Sequence, residues 1–386
     1  MQALLFFLTL LFGTVTGLRG ESVTQPTAAP TVPAPATSPE RNLQPSNPQV
    51  PAEQLPPANQ PLPPGALETP EPPTLLPANA RSGILGAWLR PNARENPLEV
   101  LRSLKEVGYT DIFLETFYHG FTLYPSSIAP SRPELGDRDL LGEYVAAAAQ
   151  LGLRLHAWLE VLYWAPPAQY GVRGGLLDRF PYLETRDAQG RSSRRGIHGM
   201  GFADPGLQET RLKVYALGRE LATRYPNVGL HLDYLRYPAG GDYGYHPQAR
   251  RAFSAQTGLE ARPYVMEWYA WRQNVLTQVA NGISRAYREA GGRGLVTAAV
   301  NPEFPFYKGE TLQTWTRWTE VDVFIPMAYS RSNAYLKLLS RWIRNRSPRP
   351  VWMGLQVGPQ YPDLQSQINT LKPEGFSNFV IFGRLK

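Results

Sequence analysis

Two short apolar runs each end on a carboxylate, His156-Ala-Trp158-Leu-Glu160 and His231-Leu-Asp233. With a strand's side-chain period of two, His156, Trp158 and Glu160 share one face, as do His231 and Asp233. Two carboxyls converging on one cleft are the apparatus of glycosidic bond hydrolysis: one protonates the leaving oxygen, the other acts ionised as nucleophile or base. Glu115, in Glu115-Thr-Phe117-Tyr118-His119, and Glu303, in Asn301-Pro-Glu303, are further candidates for the acid. An inward carboxylate is costly unless paired. The non-catalytic alternatives are therefore an ion pair of Asp233 with Arg236 or a cap, and a loop arginine for Glu160. Carboxyls about 5 Å apart would mean retention and about 6.5–9.5 Å inversion; an N-acetylated sugar would open a substrate-assisted route needing one protein acid.

Other chemistries find no support. The chain has no cysteine, hence no thiol nucleophile, disulfide or cysteine-based zinc site. No His-Glu-x-x-His or His-x-His run occurs, and Asp137-Arg-Asp139 reads as a loop capping the next helix, so no metal is expected. The Gly-Gly pairs beginning at Gly174, Gly240 and Gly291 match no phosphate-binding fingerprint, and no G-x-S-x-G elbow is present. No cofactor is expected.

The elements that must position these residues follow from periodicity. Strands are predicted at 84–90, 111–117, 154–161, 228–234, 295–301, 322–329, 351–357 and 378–382. Helices are predicted at 97–107, 140–151, 206–224, 263–290, 312–318, 334–344 and 363–371. The longest opens with Pro263 at a first helical position and carries Trp268, Val275, Val279 and Ile283 at helical spacing. Eight strands alternating with helices predict a (β/α)8 TIM barrel, whose chemistry sits where the strands end. An eighth helix has no room after Phe382, and part of residues 66–81 is expected to cover that gap. Strand ends then supply the substrate-binding candidates Arg90, Tyr118, Trp164, His231, Tyr234, Arg236, Tyr237, Asn301, Tyr329 and Gln356, with His156 and Trp158 beside them. The 9 Trp and 20 Tyr offer flat faces with polar rims that suit sugar rings, although packing explains such aromatics equally well.

Composition divides the 386-residue chain into three segments. Residues 1–20 carry an apolar run, Leu4 to Phe12, followed by small residues: the order of a secretory signal, too short to span a bilayer and preceded by no basic side chain. Residues 21–80 are a Pro-rich linker that cannot bury enough apolar surface to order itself. Residues 81–386 form the domain, expected to be exported to the periplasm, envelope or exterior. The linker carries Glu21, Glu40, Glu53, Glu68 and Glu71 against Arg41, a net of −4, and Arg19 adds +1, so with +7 overall residues 81–386 carry +10, which suits an acidic polysaccharide. Nucleic acid is not expected, since no recognised binding motif accompanies the export signal.

The stretch Val228-Gly-Leu-His-Leu-Asp-Tyr-Leu-Arg-Tyr-Pro238, with His156-Ala-Trp158 and Asp204-Pro-Gly206 before it and Ile325-Pro-Met-Ala-Tyr329 after it, resembles the glycosyl hydrolase-like 10 family of exported bacterial proteins. The resemblance covers about residues 82–382. It implies a (β/α)8 barrel hydrolysing glycosidic bonds and, for some members, bacterial cell-wall glycan such as peptidoglycan as substrate. It makes Asp233 the strand-four carboxylate, with Tyr234, Arg236 and Tyr237 around it, and matches His156 and Trp158 to the third-strand motif. The chain departs from the family at Glu160 and Glu115, and the resemblance assigns no acid/base pair. A barrel that binds envelope glycan without cleaving it is the alternative from another class.

Overall fold

Strands β1 (Leu85–Leu89), β2 (Asp111–Tyr118), β3 (Arg154–Glu160), β4 (Gly229–Asp233), β5 (Val296–Val300), β6 (Val323–Pro326), β7 (Met353–Gln356) and β8 (Phe379–Phe382) pair in parallel around a ring. The structure is a computed structural model that describes residues 83–302 and 311–383. Parallel bridges Phe324–Val351 and Met327–Gly354 bring β6 to β7 and close the barrel. The apolar run Leu4 to Phe12, the Pro-rich stretch 21–80, the segment 66–81 and Glu303 lie outside the described residues.

Side-chain alternation separates two cores. Trp88, Phe113, Trp158, Ile325, Trp352 and Val380 fill the barrel interior, while residues of opposite parity, such as Leu114, Ala157, Leu159 and Leu232, pack outward against the helices. Helices α1 (Pro97–Glu106), α2 (Leu140–Leu151), α3 (Gln208–Arg224), α4 (Pro247–Thr257), α5 (Met266–Glu289), α6 (Asn333–Arg346) and α7 (Leu364–Leu371) form the outer layer. Their limits are set locally. Asn96 accepts from the Leu98 N–H, Asp139 from Gly142, Ser332 from Tyr335 and Asp363 from Ser366, and Gly152 ends α2 in the left-handed region. Trp268, Val275, Val279 and Ile283 are buried along α5 as their spacing predicts. No helix among the described residues is long and apolar enough to cross a membrane.

Three elements differ from expectation. α5 starts at Met266 rather than Pro263, because Tyr264 takes a φ of 68° that no α-helix accommodates. The helix predicted at 312–318 is a single 3-10 turn, Trp315–Arg317. There Leu312 has a φ of 55°, and Gln313 is committed to hydrogen bonds with the Asn301 N–H and the Leu235 carbonyl. α4 is absent from the predicted elements, although Pro247 at its first position and Gly258 just beyond its end are the terminal signals of a helix.

Candidate active site

Strand register decides which carboxyls meet. Trp158 of β3 lies beside Glu115 of β2 and His231 of β4, and one layer higher Glu160 lies beside Asp233. Thr116 is an extra residue between Glu115 and Phe117 relative to β3, a bulge that turns the end of β2 at the barrel mouth. Glu115, Glu160 and Asp233 are 2%, 1% and 5% exposed, so all three carboxyls depend on protein partners. Arg90, just after β1, donates from Nε to Glu115 Oε1 at 3.1 Å and lies over the rings of Trp158 and Phe382 at 5.6 and 5.7 Å. Asp233 accepts from Trp158 Nε1 at 3.1 Å and the Tyr234 N–H at 2.6 Å, with Arg236 Nη1 at 3.5 Å. Glu160 accepts from the His119 N–H at 3.0 Å.

Both backbone donors sit on strained residues. His119 and Tyr234, with φ of 53° and 50°, are two of the four non-glycine residues at positive φ among those described. Such backbone costs about 1–3 kcal/mol and persists where its surroundings over-determine it. At β2 the cause is visible. Tyr118 pairs with Phe121 across a two-residue connection, His119-Gly120, with both φ positive, the signature of a type I′ hairpin. A Cβ at Gly120 would meet the Leu176 N and Trp164 O at 2.6 Å, so only glycine fits there.

These surroundings treat the carboxyls unequally. Burial raises Glu115 to about 7, with Arg90 opposing it and the charge of Asp233 adding to it. Burial and the neighbouring charge of Glu115 hold Glu160 well above the carboxylate range against one N–H donor. Burial raises Asp233 too, but Arg236, the Tyr234 N–H and Trp158 all favour its ionised form. The arrangement can therefore keep one proton, on Glu160, close to one stabilised anion, Asp233.

The other sequence candidates divide by depth. Arg90, Tyr118, Tyr234, Arg236, Tyr329 and Gln356 are partly or well exposed at strand ends, and Tyr329 stacks on Phe382, ring centres 6.0 Å apart. Trp158 floors the mouth, 3% exposed. Both histidines are withdrawn from direct sugar contact. His231 is fully buried between Trp88 Nε1 at 2.9 Å and Thr297 Oγ1 at 2.8 Å, and burial pushes its pKa well below 6.5. His156 is four residues below Glu160, about 13 Å along the strand, stacked on Phe113 and 3.1 Å from Asp111, itself held by Arg154. Trp164 is likewise a core residue, fully buried against Phe117 with Nε1 on the Val161 carbonyl. Tyr237 is buried at 1% exposure beside Gly244 and Arg272, and Asn301 holds the segment 311–315 through Thr311, Gln313 and Trp315. Sequence reasoning passes over Phe382, although the strand-end rule that selects Gln356 applies to it equally; it counts Tyr163 among the aromatics that could line the mouth, and it gives His119 no site role. The His119-Gly120 dipeptide, a two-residue hairpin connection, carries the signal that could have marked His119.

The profile of the family described as glycosyl hydrolase-like 10 matches residues 84–369. The chain belongs to the glycosyl hydrolase-like 10 family. Among solved structures it is similar to the catalytic domain of β-amylase from Paenibacillus polymyxa, at 14% identity and a TM-score of 0.50 over 78% of this chain and 93% of that one. It is also similar to a β-galactosidase from the Antarctic haloarchaeon Halorubrum lacusprofundi, 13% identical with a TM-score of 0.58, covering 78% of this chain and 52% of that one. A third is α-L-fucosidase isoenzyme 2 from Paenibacillus thiaminolyticus, 14% identical with a TM-score of 0.56, covering 78% and 46%. This member of the glycosyl hydrolase-like 10 family thus spans about half the length of the galactosidase and the fucosidase and nearly all of the amylase domain. At these identities the likeness is one of fold, the TIM barrel on which glycoside hydrolases are built. No curated protein sequence matches the chain.

Proposed function

We propose that the protein is a glycoside hydrolase acting on an extracytoplasmic polysaccharide, with Glu160 as general acid and Asp233 as the ionised nucleophile or base. The observation that carries this reading is the in-register pair at the mouth, Glu160 beside Asp233, in surroundings that favour a proton on the first and a charge on the second. In the reaction Glu160 would pass its proton to the glycosidic oxygen as the bond to the anomeric carbon breaks, while Asp233 meets the positive charge developing on that carbon. Glu115 supports the acid, since its charge raises the proton affinity of Glu160. Tyr329 and Phe382 offer apolar faces for sugar rings.

The substrate class that fits is a carboxylate-bearing cell-wall glycan such as peptidoglycan. Arg236 Nη1, ion-paired with Asp233 at 3.5 Å, is buried without a hydrogen-bond partner among the described residues, the Arg90 side chain is 57% exposed over the mouth, and the chain carries a net charge of +7. Export rests on the N-terminal sequence pattern alone. The test is release of reducing ends by the purified full-length chain from peptidoglycan with and without its peptides, chitin and glucans. Asp233→Asn should lower turnover by at least about 10²–10³, the scale of one preorganised electrostatic contribution, with the melting temperature retained. A folded, fully active Asn variant would end the assignment. Wild-type binding to glycan without reducing ends would make the protein a glycan-binding barrel.

A further inference from the structure

Beyond the carboxyls themselves, one side chain touches both strained turns that hold them. A short two-stranded antiparallel sheet pairs Tyr163–Ala165 with Gly201–Phe202. It leaves β3 three residues after Glu160, and the Val161 N–H is bonded to the Asp233 carbonyl. Tyr163 is 5% exposed, so it offers little face to a sugar. Its ring meets His119 edge-on at 5.3 Å on one side and Tyr234 at 4.9 Å on another, with Phe202 stacked behind it at 5.3 Å. His119 and Tyr234 are the two positive-φ residues whose N–H groups bond Glu160 and Asp233.

We infer that Tyr163 is a positioning residue, a wedge that locks the left-handed turns after β2 and β4 together and so holds the two backbone donors on Glu160 and Asp233. The physical reason lies in the strain. A histidine and a tyrosine at positive φ relax toward the ordinary regions of backbone space unless their side chains are pinned. Neither ring has a side-chain hydrogen bond among the described residues' interactions; each is pinned by packing, and Tyr163 is the ring they share. His119 also packs on Tyr118 at 5.3 Å, and Tyr234 lies under Arg236 at 4.3 Å. These partners hold each turn separately, whereas Tyr163 couples them.

The inference takes its relevance to catalysis from the hydrolase reading, but its primary test needs no substrate. Amide exchange at His119 and Tyr234 and the ¹³C titrations of Glu160 and Asp233 are followed by NMR in the full-length protein. Tyr163→Leu is expected to speed exchange at both amides about tenfold or more, as local opening becomes easier. It should also raise both carboxyl midpoints, because each N–H donor favours the charged form. With a glycan substrate, kcat should fall roughly 10²-fold with little change in KM, the consequence of misplaced catalytic groups rather than lost binding. His119→Asn tests the coupling should the leucine variant not fold. Asparagine suits a type I′ turn, so the β2 turn survives while the ring against Tyr163 is lost, and exchange at the distant Tyr234 amide should quicken. Unchanged exchange at Tyr234 in His119→Asn, or unchanged midpoints in a folded Tyr163→Leu, overturns the inference. A wild type that cleaves no glycan would instead end the hydrolase reading, whereas the exchange rates and midpoints would still decide whether Tyr163 couples the two turns.

Discussion

Replacing Glu115 by Gln tests the electrostatics of the mouth without any assumption about substrate. Glu115 is 2% exposed, and burial is the main cause that lifts it from 4.5 to about 7. Below pH 4.5 both folded and unfolded chains hold this proton, and stability is unaffected. As pH rises from 4.5 to about 7 the unfolded chain releases the proton while the fold retains it, so stability falls across that window and the loss is complete above about 7. Each pH unit of displacement is worth about 1.4 kcal/mol, so a change from 4.5 to about 7 amounts to about 3 kcal/mol. Gln keeps the shape and an acceptor for Arg90 Nε but has no proton to titrate. The Arg90 side chain, 57% exposed, remains solvated in the variant. The assay is urea unfolding of wild type and Glu115→Gln at pH 5, 6, 7 and 8. The stability of the Gln variant relative to wild type should increase by about 3 kcal/mol between the acid and alkaline ends. A difference between the two proteins that is independent of pH would refute the reasoning.

Three further outcomes follow from the same geometry. Asp111→Asn should destabilise the barrel by about 3–5 kcal/mol in denaturant melts at pH 7, because it strips Arg154 and His156 of a fully buried partner. Burial alone would raise Asp111, but hydrogen bonds from His156 and Arg154 hold it well below 3.8. Its contribution is therefore present above that value and lost as pH falls below it, so wild type and variant should converge in acid. Trp158→Phe removes the Nε1–H donor from Asp233, raising that carboxyl further. Initial-rate measurements should show about a ten- to hundredfold loss of turnover with the fold intact, the worth of a hydrogen bond to a charged group. Gly120→Ala should cost more than about 1 kcal/mol by thermal unfolding, since its Cβ would collide with Leu176 and Trp164 backbone atoms at a φ of 79°.

Much of the architecture is legible in one dimension because its causes are local. Alternation puts His156, Trp158 and Glu160 on one strand face, and His231 and Asp233 on one face of the next. Caps such as Asn96-Pro97 and Asp139 mark helix starts within a residue or two. The same locality puts Arg90, Glu115, Tyr329 and Gln356 at or beside strand ends, as the sequence pattern indicates, and the motif around Asp233 suffices to suggest the family. Departures arise where backbone conformation answers to tertiary contacts. Tyr264 and Leu312 take positive φ that no propensity announces, and the segment after Leu312 spends its hydrogen bonds on neighbouring loops instead of a helix.

What the tertiary structure alone decided is depth, register and partnership. A period of two says that His156 and Glu160 share a face, but only the barrel's closure puts one on Asp111 in the interior and the other at the mouth. Sequence proximity makes Arg236 the natural partner of Asp233, yet the hydrogen bonds come from Trp158, on another strand, and from the backbone of Tyr234. Register across β2, β3 and β4 determines that Glu115, Glu160 and Asp233 titrate in one another's fields. Their proton affinities are properties of that shared, buried volume: burial and Coulomb interactions depend on distances in space, and no spacing along the chain encodes them.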